Sequence, residues 1–234
     1  MNKAKLYLIP TFIDKNYNDT LLSSKIKNTV KDIDIFFVEN IRTSRRHIKK
    51  IYPNKNIDDI IFYDYGKHST VNFEKDLLPH FLSGKEIGIM SDSGTPCVAD
   101  PGAKIVNYAH NHNVEVIPLA GPSSIILALM ASGLNGQSFT FLGYLPIDKK
   151  ERIIALRKLE SDTRKNIQTQ IFMETPYRNN KLFDLMKKIL NNQTKCCIAS
   201  NIACENQIIK TKTIREWKNC TIDLHKKPTI FLVS

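Results

Sequence analysis

Between positions 91 and 102 the chain reads Ser91-Asp92-Ser93-Gly94-Thr95-Pro96-Cys97-Val98-Ala99-Asp100-Pro101-Gly102. Small residues let backbone groups come close to a ligand, and Asp92 can accept a hydrogen bond from an amine or a hydroxyl. The segment follows a strand-like run and precedes a helical pattern, and open α/β sheets bind ligands at such carboxyl ends. Asp100 followed by Pro101 reads as a helix start, with Asp as cap and Pro in the first turn. A second loop, Leu119-Ala120-Gly121-Pro122-Ser123-Ser124, has the same placement. Its glycine allows a turn and its serines can bond outward. The third segment is Phe172-Met173-Glu174-Thr175-Pro176-Tyr177-Arg178. By itself Met173 reads as core, and Glu174 and Arg178 read as a surface pair. Arg42, Arg45, Arg46 and Lys49 share one helical face, which suits either phosphates or plain solvent.

Short apolar runs at 5–10, 35–39, 60–65, 86–91 and 114–119 read as strands. Helical patterns lie between them at about 20–30, 43–52, 70–82 and 101–112, and an apolar helix follows at about 122–134. Strand–helix alternation implies a mostly parallel sheet covered on both faces. Residues 139–146 read as the last strand of this domain. The second part reads helix 149–162, strand 169–174, helix 178–190, strands 195–203 and 207–214, a turn at 215–219 and strand 229–233. More of its strands are consecutive, so its sheet should be mixed. The expectation is therefore a two-domain α/β protein, residues 1–146 and 147–234, with a ligand cleft between the domains.

Charge is unevenly spread. Residues 1–146 hold 16 Lys and Arg against 14 Asp and Glu, while residues 147–234 hold 18 against 9. The basic half favours a polyanionic partner such as nucleic acid, although a lysine-rich composition alone produces the same excess. The five cysteines form no Cys-x-x-Cys pair, which argues against a disulfide framework or a zinc site and suits a reducing cytosol. His110 and His112 are two apart and point to different sides of a helix, so no metal site is expected. There is no run of about 18 apolar residues for a membrane span, and the apolar start of the chain is too short for a signal peptide. Gly-x-Gly-x-x-Gly after a strand and Gly-x-x-x-x-Gly-Lys-Ser/Thr are both absent, so the common dinucleotide and nucleotide loops are unsupported.

Taken together, the segments resemble the tetrapyrrole methylase superfamily. Residues 91–102 are similar to its Ser-Asp-Ala-Gly-Thr-Pro…Asp-Pro-Gly motif, most closely in the branch of ribosomal RNA small-subunit methyltransferase I. Leu-Tyr-Leu-Ile-Pro-Thr at 6–11, Val-Glu-Asn-Ile-Arg at 38–42, Ala-Gly-Pro-Ser-Ser at 120–124, Gly-Tyr-Leu-Pro at 143–146 and Met-Glu-Thr-Pro-Tyr-Arg at 173–178 follow in the same order. The resemblance implies a cytoplasmic, homodimeric S-adenosylmethionine-dependent methyltransferase acting on ribosomal RNA of the small subunit. Carried over by motif, the cofactor contacts are Pro10, Ser93, Gly94, Thr95, Val98, Ser123, Ser124, Met173, Ile202, Ala203 and Pro228. A ribose 2′-hydroxyl is a poor nucleophile that a positioned base would help, and Asp92, Glu39 and Glu174 are the candidates. Arg42, Arg45, Arg46 and Lys49 are the expected RNA contacts. Three stretches depart from the branch: 14–19 in place of Gly-Asn-Leu-Gly-Asp, 38–42 in place of Ala-Glu-Asp-Thr-Arg, and 227–229 in place of Lys-Gly-Glu. Methylation of a tetrapyrrole, or RNA binding without turnover, are the alternatives.

Overall fold

The computed structural model describes residues 3–13, 22–66 and 71–234. The departure at 14–19 lies outside the described residues. The chain divides into two compact units, Met1–Ser123 and Ser124–Ser234.

The first unit holds β1 (Lys5–Leu8), α1 (Ser24–Asp32), β2 (Ile35–Val38), α2 (Ile41–Ile51) and β3 (Ile61–Asp64). A π-type turn at Phe73–Leu77 leads into α3 (Leu78–Leu82), followed by β4 (Glu86–Met90), α4 (Ala103–Asn111) and β5 (Glu115–Pro118). The sheet order is β3-β2-β4-β1-β5, and every pairing is parallel. A parallel sheet with helices on both faces requires apolar residues on both. Accordingly, all four residues of β2 are buried. Leu6, Phe37, Ile87 and Ile89 pack with Leu77, Phe81 and Ile105 in one core cluster. The Phe37 ring stacks on Tyr63 at 4.6 Å. Asn40 caps α2, its side chain accepting from the Thr43 N–H at 3.0 Å. The chain therefore passes from β2 through Glu39 straight into the basic helix.

The second unit holds α5 (Ser124–Ser132), β6 (Phe139–Tyr144), α6 (Lys149–Asn166), β7 (Thr169–Met173), α7 (Asn179–Ile189), β8 (Lys195–Ser200), β9 (Ile208–Thr213), α8 (Ile214–Lys218) and β10 (Thr229–Val233). Its sheet runs β6-β7-β10-β8-β9. Only β6 and β7 pair in parallel; the other pairings are antiparallel. The expected contrast of a parallel first sheet with a mixed second one is what the fold contains. The two cores of this unit lie on opposite faces of the sheet. Trp217, Phe172, Phe231 and Leu156 build one; Ala128 and Leu129 of α5 build the other with Ile171, Cys197 and Leu232. Neighbouring Cys196 and Cys197 enter opposite cores, as alternation along a strand dictates. Both act as small apolar residues.

The domain boundary differs from the expected one near 146. Strand β6 hydrogen-bonds to β7, and the apolar face of α5 is covered by β8, β9 and β10. Both elements therefore belong to the second unit. Among the described residues no helix is long and apolar enough to cross a membrane.

Candidate active site

The carboxyl ends of β1, β4 and β5 bring the first two sequence motifs together. The Thr11 N–H donates to the Gly94 carbonyl at 2.8 Å, and the Thr11 hydroxyl to the Ser91 carbonyl at 3.3 Å. On the other side, the Thr95 hydroxyl donates to the Pro122 carbonyl at 3.4 Å. The 91–96 loop is thus pinned between the segment after β1 and the loop after β5. Gly94 holds φ 72°, a conformation that costs little only for glycine. Gly121 lies against Pro10, where an added Cβ would sit 2.3 Å from the Pro10 Cβ. Gly121→Ala must therefore push the β1 and β5 loops apart, at a cost of about 1–3 kcal/mol for overpacking. Urea unfolding checks this, and a loss within error would mean that the loops move apart freely.

Acidic groups gather at the same edge. The Asp92 N–H donates to Glu39 Oε2 at 3.0 Å, which fixes the Glu39 carboxylate beside the loop. Burial raises the Asp92 pKa, the charges of Glu39 and Asp64 raise it further, and a hydrogen bond from the Thr43 hydroxyl opposes them. Burial likewise pushes Asp100 up to about 6, assisted by the Glu39 and Asp92 charges and opposed by a hydrogen bond from Ser91. Asp100 is not the helix cap expected from its place before Pro101. Helix α4 starts at Ala103, with Gly102 at the cap position and no side-chain cap bond. Gly102, at φ 127°, turns the chain between Pro101 and the helix. The Asp100 carboxyl is left in the acidic group instead.

The basic residues of α2 divide into two sets. Arg45 pairs with Asp58 at 2.9 Å, and Lys49 Nζ donates to the Pro53 carbonyl at 3.1 Å. Their face of the helix is tied to the segment that follows it. Thr43, Arg46, His47 and Lys50 form the neighbouring stripe and line an open cavity of about 530 Å³ with Phe12, Asp92 and Ser93. His47 packs edge-on to Phe12 at 5.6 Å. Burial, with the Lys50 charge, pushes its pKa down to about 4, so it is neutral at pH 7. Lys50 Nζ lies 4.6 Å from the Phe12 ring centre. Of the four expected RNA contacts, only Arg46 faces this cavity. His47 and Lys50 were not expected there. The signal that would have found them is the buried set Ser44, Ile48 and Ile51, which fixes the rotation of the helix.

In the second unit, Met173, Ile202, Ala203 and Pro228 lie at one end of the sheet. Met173 pairs with Ile230 at the end of β7, and Ala199 of β8 faces the same Ile230. Beyond β8 the Asn201 N–H donates to the Pro228 carbonyl at 2.9 Å, while Ala203, at φ 66°, donates to Gln207 at 2.9 Å. Glu174 follows Met173, and its side chain is only 1% exposed. It meets Arg178 at 2.7 Å and Arg152 at 3.4 Å. The expected pairing with Arg178 occurs, with the Glu174 carboxylate buried and the Arg178 side chain 34% exposed. Arg152 also donates to the Pro146 carbonyl at 2.7 Å and the Ile147 carbonyl at 3.1 Å. One arginine therefore joins the 143–146 and 173–178 motifs. It went unnoticed in the sequence because it sits in a charged run that reads as a solvated helix start.

Ser123 and Ser124, at the start of α5, are half-buried and make no side-chain hydrogen bond among the described residues. Val98 is 49% exposed and offers an apolar surface. A model of the tetrapyrrole (corrin/porphyrin) methylases matches residues 19–218. The chain belongs to that family. The chain is 33% identical over 192 residues to the ribosomal RNA small subunit methyltransferase I of Halalkalibacterium halodurans, covering 82% of this chain and 62% of that one. The protein of the same name from Vibrio cholerae is 32% identical over 84% of this chain and 64% of its own. For Bacillus subtilis the figures are 32%, 80% and 60%. The chain thus spans about three fifths of the length of the relatives it matches. In fold the chain resembles the crystal structure of the methyltransferase CobJ, with a TM-score of 0.63 at 13% identity over 100% of this chain and 94% of that one. The family and the two-sheet α/β fold implied by the motifs are therefore those of the protein.

Proposed function

We propose that this tetrapyrrole methylase is an S-adenosylmethionine-dependent methyltransferase that methylates a ribose 2′-hydroxyl of small-subunit ribosomal RNA, working in the cytoplasm as a homodimer. The observation that carries this reading is the Asp92 carboxyl: the residue's backbone N–H holds Glu39 beside it, and it lines one cavity with Thr43, Arg46 and Lys50 of α2. Similarity to three ribosomal RNA methyltransferases supports it. When bound, S-adenosylmethionine supplies an activated methyl on a cationic sulfur and leaves as the neutral thioether. Its proposed contacts are Pro10, Ser93, Gly94, Thr95, Val98 and Ser123 in the first unit, and Ser124, Met173, Ile202, Ala203 and Pro228 in the second. Asp92 would take the proton of the ribose hydroxyl as that oxygen accepts the methyl. A carboxyl whose pKa is raised above the ordinary range is a better base for that step. Glu39 positions Asp92 through its backbone N–H. Arg178 and Arg152 engage Glu174, and Glu39 accepts from the Asp92 N–H, which supports Asp92 as the base among the three candidates.

The test is transfer of labelled methyl from S-adenosylmethionine to small ribosomal subunits from cells lacking the corresponding gene, followed by mapping of the label. The expected outcome is label on one ribose. Donor binding with no label on any RNA would overturn the assignment, and label on a tetrapyrrole would replace it with the small-molecule reading.

A further inference from the structure

Tyr177 and the Lys226–Lys227 pair have no part in the proposed reaction, and they meet in the second unit. Lys226, at φ 59°, turns the 223–228 loop through a conformation that favours glycine. Its N–H donates to the Pro176 carbonyl at 3.0 Å. Asn180 grips the same loop twice, donating to Asp223 at 2.8 Å and accepting from the Leu224 N–H at 2.8 Å. Asn179 adds a bond to the Lys227 carbonyl at 2.7 Å. The loop is thereby fixed to the start of α7, and the His225 ring meets Tyr177 edge-on at 5.9 Å.

Tyr177 is nevertheless 68% exposed. A ring propped by its neighbour on a pinned loop presents a fixed flat surface to solvent. Lys181, in the first turn of α7, and Lys226 are exposed and form no ion pair among the described residues. The loop carries Lys226 and Lys227 against one carboxylate, Asp223, which already accepts from Asn180 and from the His225 N–H at 3.0 Å. An exposed aromatic face beside lysines suits single-stranded nucleic acid, with a base on the ring and phosphates on the ammonium groups. A double helix would leave the ring unused, because its bases are already stacked. We infer that Tyr177, propped by His225, stacks on an unpaired base of the RNA substrate while Lys181 and Lys226 hold adjoining phosphates. The nucleotide held there is not the one methylated, because Glu174, the candidate base in this segment, is engaged by Arg152 and Arg178. The inference rests on the reading of the chain as an RNA methyltransferase and gives the second unit its own grip on the RNA.

Binding of a short single-stranded oligoribonucleotide to the full chain tests it without methyl transfer. A terminal fluorescein reports affinity, and an internal 2-aminopurine is quenched when it stacks. Tyr177→Ala should weaken binding at least about fivefold and abolish the quench with the log–log salt slope unchanged, whereas Tyr177→Phe should keep both. Lys181→Glu/Lys226→Glu should flatten the slope by about 1. The charge-matched Lys158→Glu/Lys165→Glu variant, exposed on α6, should flatten it much less. Binding indifferent to Tyr177→Ala, a quench that survives it, equal flattening by the two lysine pairs, or no binding by the unaltered protein would each overturn the platform. A benzophenone side chain at position 177 should cross-link to RNA in added small subunits, and capture of ribosomal protein alone would also overturn it. Labelled transfer to small subunits is scored separately. Transfer with binding indifferent to Tyr177 would sink the platform and keep the activity. Binding that depends on Tyr177, without transfer, would do the reverse.

Discussion

Replacing Glu174 with alanine should destabilise the second unit by about 3–5 kcal/mol, the usual cost of leaving one member of a buried ion pair uncompensated. Arg152 is 8% exposed and would keep its bonds to the Pro146 and Ile147 carbonyls while losing its only counter-charge among the described residues. With a urea slope of about 1–3 kcal/mol/M, the unfolding midpoint followed by circular dichroism should drop by more than about 1 M. Replacing both, as Arg152→Met with Glu174→Leu, should cost less than Glu174→Ala alone, because only the part-exposed Arg178 is then left without its carboxylate. A loss of under about 1 kcal/mol in the single variant would show that water reaches Arg152 and that the pair is not structural. Among variants that fold, Glu174→Gln should reduce the rate per folded molecule far less than a change at Asp92.

Asp92→Asn should lower methyl transfer by about 10²–10⁴-fold, the usual contribution of a positioned base, with donor affinity unchanged. The pH profile adds a test of sign. As the proposed base, Asp92 would act only when deprotonated. Burial and the charges of Glu39 and Asp64 raise its pKa, against the Thr43 hydroxyl bond; Arg46 and Lys50 line the same cavity. The acid limb of the rate should therefore lie above the ordinary aspartate value of about 3.9. Glu39→Gln removes one negative charge and keeps an oxygen for the Asp92 N–H, so the limb should move to lower pH. A limb that stays in place, or moves upward, would show that another group titrates.

Much of this architecture can be read from residue order. The strands of the first sheet fall within their apolar runs, which are continuous because the central β2 and β4 are buried on both faces; the edge strands β3 and β5 are only part-buried. Small residues at 91–96 and 119–124 mark the two loops that meet at Thr95 and Pro122. The features that were missed depend on contacts between distant residues. The run at 139–144 looks like any other strand, and only its pairing with β7 places it in the second sheet. The rotation of α2 was obscured by Ser44, a polar residue on the buried face, which weakens the apolar periodicity. Arg152 is ordinary in type and position; its burial appears only once β7 brings Glu174 beside it. Asp100 was misread because a good cap residue before proline reports local preference, whereas Gly102 decides where the helix begins.

Trp217 is the only tryptophan in the chain, and it lies wholly inside the second unit. It is 2% exposed, donates to the Cys196 carbonyl at 2.8 Å and meets Phe183 edge-on. Intrinsic emission excited at the indole band therefore reports the environment of that unit alone, while the far-ultraviolet dichroism of the helices comes from both. Overlaid denaturation curves from the two signals coincide if the units unfold as one. If they part, the optical signal of a single indole is enough to assign which unit melts first.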